Sequence, residues 1–169
     1  MRIVWLCLIL AACANLKQQE LYQVRFEGMQ HRPYCGGARP TPEVAAGFTE
    51  PLTGKHYFVF EGTIHSKKSK PLGELTLDSL GMDVLQLRPG NYYLLDADKT
   101  LTLEKFIGKT TLAFEKNFAV SDASCFEKWQ QTPDVLFEVQ GNKLVSFTLQ
   151  ANCWTGLNPC VKYVGPPAQ

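Results

Sequence analysis

From His56 onward the chain is cut into short apolar runs that alternate with polar residues, and nearly every cut carries a turn residue. That cadence restricts the fold more than any other feature. Runs of four to eight residues with period two are strands, and strands spaced this closely leave no room for crossover helices between most of them. His56 to Glu61 (H-Y-F-V-F-E) is aromatic and β-branched and reads as a buried strand. Leu75 to Asp78 and Val84 to Leu87 alternate, linked through a turn at Gly81. Arg88-Pro89-Gly90-Asn91 is a turn signal that leads into Tyr92–Leu95. Leu101–Leu103 and Thr111–Phe114 are read as further sheet. Val135–Val139 and Lys143–Ala151 are expected to form a hairpin across Gln140-Gly141-Asn142, with Val145, Phe147 and Leu149 on the face opposite Leu144, Ser146, Thr148 and Gln150. A last short strand falls at Val161–Val164. The fold class is therefore mainly β, an antiparallel β-sandwich or barrel.

The first half is less regular. Leu21 to Glu27 alternates and supplies a first strand. His31 to Gly54 is rich in proline and glycine, which remove amide donors and loosen the backbone, so ladder pairing is not expected there. Within it, Thr41 followed by Pro42 marks a short helix over Pro42–Ala46. One further helix is predicted over Ser121–Thr132, with Ser121 as its cap, Asp122 near its positive end, Cys125, Phe126 and Trp129 on one face, and Pro133 ending it.

The N-terminus resembles a bacterial lipoprotein leader. Arg2 is followed by an apolar run, Ile3–Leu10, that is too short to span a membrane, and then by Leu10-Ala11-Ala12-Cys13. The resemblance implies cleavage after Ala12 and lipidation of Cys13. The expected organisation is a signal peptide over 1–12, a polar tether over 13–20 and one sandwich domain over 21–165. Anchoring then rests on acyl chains inserted into the envelope membrane, since stable attachment takes more than one chain. Ala14 is not the aspartate associated with inner-membrane retention, which favours the outer membrane. Removing the leader takes one charge, Arg2, from a chain of formal net charge +1, so the remainder is neutral and offers no field for nucleic acid. Lys67, Lys68 and Lys70 form a basic cluster, read as a solvated loop tip.

Six cysteines divide by fate. Cys7 leaves with the leader and Cys13 carries lipid. Cys35, Cys125, Cys153 and Cys160 form an even set in a compartment that permits disulfides. The favoured pairing is Cys153–Cys160, closing a short loop bent by Gly156 and Asn158-Pro159, with Cys35–Cys125 tying the proline-rich segment to the helix. No C-x-x-C or His-x-x-x-His pair is present, so no metal or other cofactor is expected.

The block from Leu72 to Asp96 resembles the central motif of transthyretin-like (prealbumin-like) sandwich domains. Leu77-Asp78, Gly81 and Leu87-Arg88-Pro89-Gly90-Asn91-Tyr92 stand where that pattern has its strand end, its glycine turn and its Leu-x-Pro-Gly-x-Tyr. The resemblance implies that Tyr92 packs its ring under the loop. Cys153 to Pro167, together with Cys35-Gly36-Gly37, is similar to segments of other bacterial lipoproteins. Some transthyretin-like proteins are hydrolases ending in Tyr-Arg-Gly-Ser, but here Tyr163-Val164-Gly165-Pro166 lacks the arginine and the serine.

Nothing in the sequence sets His31, His56 and His65 together, and no nucleophile elbow, phosphate loop or metalloprotease helix is present. The chain is therefore expected to be no enzyme. Its expected role is structural or interactive, with an envelope protein as partner. Binding of a small ligand or carbohydrate is the alternative. Tyr57, Phe58, Phe60, Tyr92 and Tyr93 are candidates for an aromatic surface, divided between two faces by strand alternation. Trp154 is a further contact candidate.

Overall fold

A computed structural model describes residues 20–37, 39–66, 68–113, 117–153 and 155–165. The leader, Cys13, most of the tether, Lys67 and Trp154 lie outside the described residues. In chain order the strands are β1 (Tyr22–Arg32), β2 (Phe48–Pro51), β3 (His56–Glu61), β4 (Gly73–Thr76), β5 (Met82–Leu87), β6 (Gly90–Asp96), β7 (Phe118–Val120), β8 (Val135–Val139), β9 (Lys143–Gln150) and β10 (Val161–Tyr163). The helices are α1 (Pro42–Ala45), α2 (Leu103–Ala113) and α3 (Ala123–Gln131), with a 3-10 turn at Ala97–Thr100.

Two sheets face each other. The first is built around β1, whose one edge pairs in parallel with β9 from Val24↔Lys143 to His31↔Gln150. Its other edge is shared end to end by two antiparallel strands, β5 along Tyr22–Glu27 and β2 along Met29–Arg32. The second sheet, β4-β3-β6-β8, is antiparallel throughout. Alternation sends Val24, Phe26 and Val145 from the first sheet, and Tyr57, Val59, Tyr92, Leu94 and Phe137 from the second, into one buried cluster. Phe26 meets Phe137 edge-on across that interior, ring centres 5.4 Å apart. Tyr92 is buried, and its hydroxyl donates to the Arg88 carbonyl at 2.9 Å. This is the placement the Leu-x-Pro-Gly-x-Tyr motif implies.

Gly28 sits where β2 and β5 meet on β1. Its amide donates to the Gly81 carbonyl at 2.8 Å, and its carbonyl accepts from the Leu52 amide at 3.0 Å. A Cβ there would lie 2.6 Å from Leu77 Cδ1 and 2.9 Å from Phe147 Cζ, so any other residue forces those core side chains to shift. Gly81 completes the junction with φ +74, a conformation glycine adopts without strain.

Between β6 and β8 the chain leaves the sandwich and builds a helical layer. Phe106 of α2, Phe126 of α3 and Val161 of β10 form its separate buried cluster. Ring centres of Phe106 and Phe126 are 4.8 Å apart. β7 and β10 pair antiparallel alongside.

Several expectations change. The sheet expected at Leu101–Leu103 and Thr111–Phe114 is not formed: Leu103–Ala113 is helical, and Phe114 lies outside the described residues. Phe106 must reach the Phe126–Trp129 face, which a helix allows and an alternating strand does not. Thr102 starts α2 by accepting the Lys105 amide on Oγ1 and the Phe106 amide on its carbonyl. Asp122, not Ser121, caps α3, its carboxylate accepting the Cys125 amide at 2.7 Å. The proline-rich segment does join a ladder, through β2. Pro51 is tolerated there because it ends an edge strand. The expected hairpin is not formed: β8 pairs with β6 in one sheet and β9 with β1 in the other. Asn142 marks the crossing, its side-chain oxygen accepting the Gln23 amide at 2.7 Å where β9 starts beside β1.

The disulfide pairing is also corrected. The bonds are Cys35–Cys153 and Cys125–Cys160, with Cα atoms 5.3 and 5.7 Å apart. β1 and β9 run in parallel, so their C-terminal ends emerge side by side and carry Cys35 and Cys153 together. Cys160 lies next to the helical layer instead, where its carbonyl accepts the Ser121 amide at 2.7 Å and brings it to Cys125 on α3.

Candidate functional site

The outer face of the second sheet carries what the inner face excludes. β3 turns Tyr57 and Val59 inward and Phe58 and Phe60 outward, and β6 likewise turns Tyr93 and Leu95 outward. The aromatic set named from sequence is thus divided: Tyr57 and Tyr92 belong to the core, while Phe58, Phe60 and Tyr93 form the outer floor. Phe60 and Tyr93 stack at 5.0 Å with planes 8° apart.

Three chain segments rise around this floor. The β3–β4 loop folds His65 onto it, edge-on to Phe60 at 5.3 Å, with Nδ1 3.1 Å from the Tyr93 hydroxyl. The segment from Lys99 to Leu103 makes a second wall, and α3 supplies the third through Phe126 and Gln130. Gln130 binds the two walls together, its amide nitrogen donating to the Lys99 carbonyl at 2.9 Å and the Leu101 carbonyl at 2.7 Å. The groove is open on one side and measures about 650 Å³. Burial lowers the pKa of His65, and the nearby Lys99 charge adds to the effect, so the imidazole is neutral at neutral pH.

A charged network lies at the base of the helical layer. Lys99 is almost fully buried, and its ammonium donates to Asp134 Oδ1 and to the Thr132 carbonyl, each at 2.7 Å. It also lies 5.4 Å from the Trp129 ring centre. Asp134 accepts the Asp96 amide at 2.7 Å, and Asp96 pairs with Lys55. Burial raises the Asp134 carboxyl above its ordinary pKa against the opposing pull of Lys99. None of these residues is marked by the sequence, because Asp96 and Asp134 are 38 positions apart and join only when β6 and β8 pair.

Tyr57 ends beside this network. Its hydroxyl is buried and finds no hydrogen-bond partner among the described residues. Burial drives the phenol far above its ordinary pKa, with the Asp96 and Asp134 charges adding to the effect. Tyr57→Phe is accordingly expected to raise stability by about 1 kcal/mol, since it removes an unsatisfied buried polar group without opening a cavity. Urea denaturation checks this, and a loss of comparable size would show that the hydroxyl has a partner in solution.

The histidines do not converge. His31 meets Thr49 Oγ1 at 3.1 Å, His56 meets Glu74 at 3.2 Å, and His65 meets Tyr93. Among the described residues no cluster of three metal-ligating side chains occurs. Lys68 and Lys70 are exposed in the β3–β4 loop, as a solvated tip requires.

These features define a two-sheet β-sandwich with a helical layer that leaves a groove over one outer face. No family model matches the chain, and no curated protein sequence does. Among solved structures it is similar to the minor pilin GBS52 of Streptococcus agalactiae, at 14% identity and TM-score 0.36, covering 88% of this chain and 47% of that one. It is similar to the shaft pilin SpaA of Lactobacillus rhamnosus GG, at 8% identity and TM-score 0.38, covering 78% and 50%. The TIE protein of Bacillus anthracis gives 10% identity and TM-score 0.36, covering 76% and 17%. The chain spans half or less of the length of these solved chains.

Proposed function

We propose that this chain is an exported, lipid-anchored protein of the cell envelope whose sandwich is a non-catalytic interaction module. The observation that carries the reading is the complete pairing of Cys35, Cys125, Cys153 and Cys160, which suits an oxidising compartment outside the cytoplasm. Leu10-Ala11-Ala12-Cys13 supplies the anchor, and the polar segment to Glu20 gives a short tether before β1. The separation of the three histidines, each with its own neighbour, supports a role in contact rather than catalysis. The partner is an envelope protein, and the outer membrane is the favoured location.

Mass spectrometry of membrane-extracted protein should find an acylated N-terminal Cys13 and no residues 1–12. A soluble product starting at Ala14 or later overturns the anchor. Cys13→Ser should release the protein or leave it unprocessed. Crosslinking in intact envelopes, followed by purification, should bring down a stoichiometric protein partner.

A further inference from the structure

The groove on the outer face of the second sheet falls within the size range of small-molecule sites, roughly 300–1,000 Å³. Its lining also limits what it can hold. Phe58 and Leu101, both half-buried, present ring and aliphatic surface toward it, backed by the buried Phe60 and Phe126. Of its hydroxyl and amide side chains, Gln130, Thr100 and Thr102 are engaged already, which leaves Ser69 and Gln131. The Gln130 amide nitrogen is taken by two backbone carbonyls, the Thr100 hydroxyl donates to the Ala97 carbonyl at 2.8 Å, and Thr102 Oγ1 receives the Lys105 amide. A sugar, which needs many free donors and acceptors, would leave most of its hydroxyls unmatched.

Charge narrows the choice further. The Lys99 ammonium is held by Asp134 and the Thr132 carbonyl. Glu127, on the α3 wall, has no ion-pair partner among the described residues. Among the lining residues an anion would lose its hydration and meet the Glu127 carboxylate with the Lys99 ammonium already engaged, while Lys68 and Lys70 lie exposed on the β3–β4 loop outside the lining.

We propose that this groove binds an uncharged, mainly apolar small molecule, with a flat face laid on Phe58 and its far end against α3. The proposal rests on the groove alone and is independent of lipidation at Cys13, so either can fail without the other.

Benzophenone, an uncharged photoreactive ligand, tests it on the full chain in non-ionic detergent. Irradiation and peptide mapping should place saturable labelling on peptides containing His56–Glu61 and Ala123–Gln131. Ala123→Trp, which fills the groove from the first turn of α3, should abolish that labelling while far-ultraviolet circular dichroism and the urea midpoint are retained. The anionic analogue 4-benzoylbenzoate should label about tenfold less, because its charge must be desolvated beside Glu127. Wild-type labelling scattered over other surfaces overturns the proposal without recourse to the variant. So does equal labelling by the anion, or displacement of benzophenone by a free hexose.

Discussion

Replacing Cys35 and Cys153 together by serine is expected to lower stability by about 4–5 kcal/mol. The bond joins residues 118 apart in sequence. The chain-entropy treatment assigns about 5 kcal/mol to closing a loop of that length, against about 4 kcal/mol for the 35-residue separation of Cys125 and Cys160. The native side of the balance should change little, because the β1–β9 ladder already holds eight residue pairs in register next to the bond. The effect therefore resides in the unfolded chain, and the variant should still fold. Chemical denaturation of the serine variant should show a lower midpoint with the slope kept or steeper, as a freed unfolded chain exposes more surface. A loss below about 1 kcal/mol would show that the ladder alone fixes these ends. Non-reducing peptide maps should show Cys35 joined to Cys153 and Cys125 to Cys160, and a Cys153–Cys160 peptide would refute both bonds.

The mistaken pairing shows where the sequence stops being legible. Aromatic and β-branched composition marks β3, period-two alternation marks β5 and β9, and Pro89-Gly90 locates the turn into β6, because these signals are local and each is complete within a few residues. The faces were legible too: Val145, Phe147 and Leu149 do turn inward together. Which strands become neighbours is a long-range property. A parallel pair such as β1 and β9, whose paired residues are 119 positions apart, leaves no mark on either segment. A hairpin and a crossing between sheets require the same alternation on both sides of Gln140-Gly141-Asn142. Here the eight-pair ladder to β1 holds β9 in the other sheet, and the Asn142 side chain adds one hydrogen bond to the Gln23 amide at its start.

The groove was half legible. Strand alternation separates Phe58 and Phe60 from Tyr57, but its walls could not be read off. Thr-rich flanks around Leu101 and Leu112 carry β propensity that the packing of Phe106 on Phe126 overrides. Once α2 is a helix, residues 99–103 become a wall rather than a strand, and the floor becomes a groove. Lys99 was unmarked for a related reason: a single lysine in a polar segment reads as solvated until the layer above buries it.

That burial makes Lys99 the most sensitive side chain in the helical layer. Lys99→Met is expected to cost about 3–5 kcal/mol at neutral pH, because it leaves the Asp134 carboxylate buried without its counter-ion. The dependence on pH tells this cause from lost packing. In the native protein burial already holds Asp134 above its ordinary pKa, so the folded state keeps that proton to a higher pH than the unfolded chain does. The stability linked to it is complete below the unfolded value, about 3.9, and declines as pH rises through the folded one. Lys99 supplies the two leading effects that oppose the rise, by charge and by hydrogen bond. Without it the folded pKa climbs further and the decline continues to higher pH. The gap between wild type and Lys99→Met should accordingly narrow as the solution is acidified from pH 7. Asp134→Asn should rescue most of the loss, since an amide oxygen can still accept the Asp96 amide and carries no charge to bury. A cost that neither narrows on acidification nor shrinks in the Asp134→Asn background would place the role of Lys99 in its contacts with the Trp129 ring and the Thr132 carbonyl.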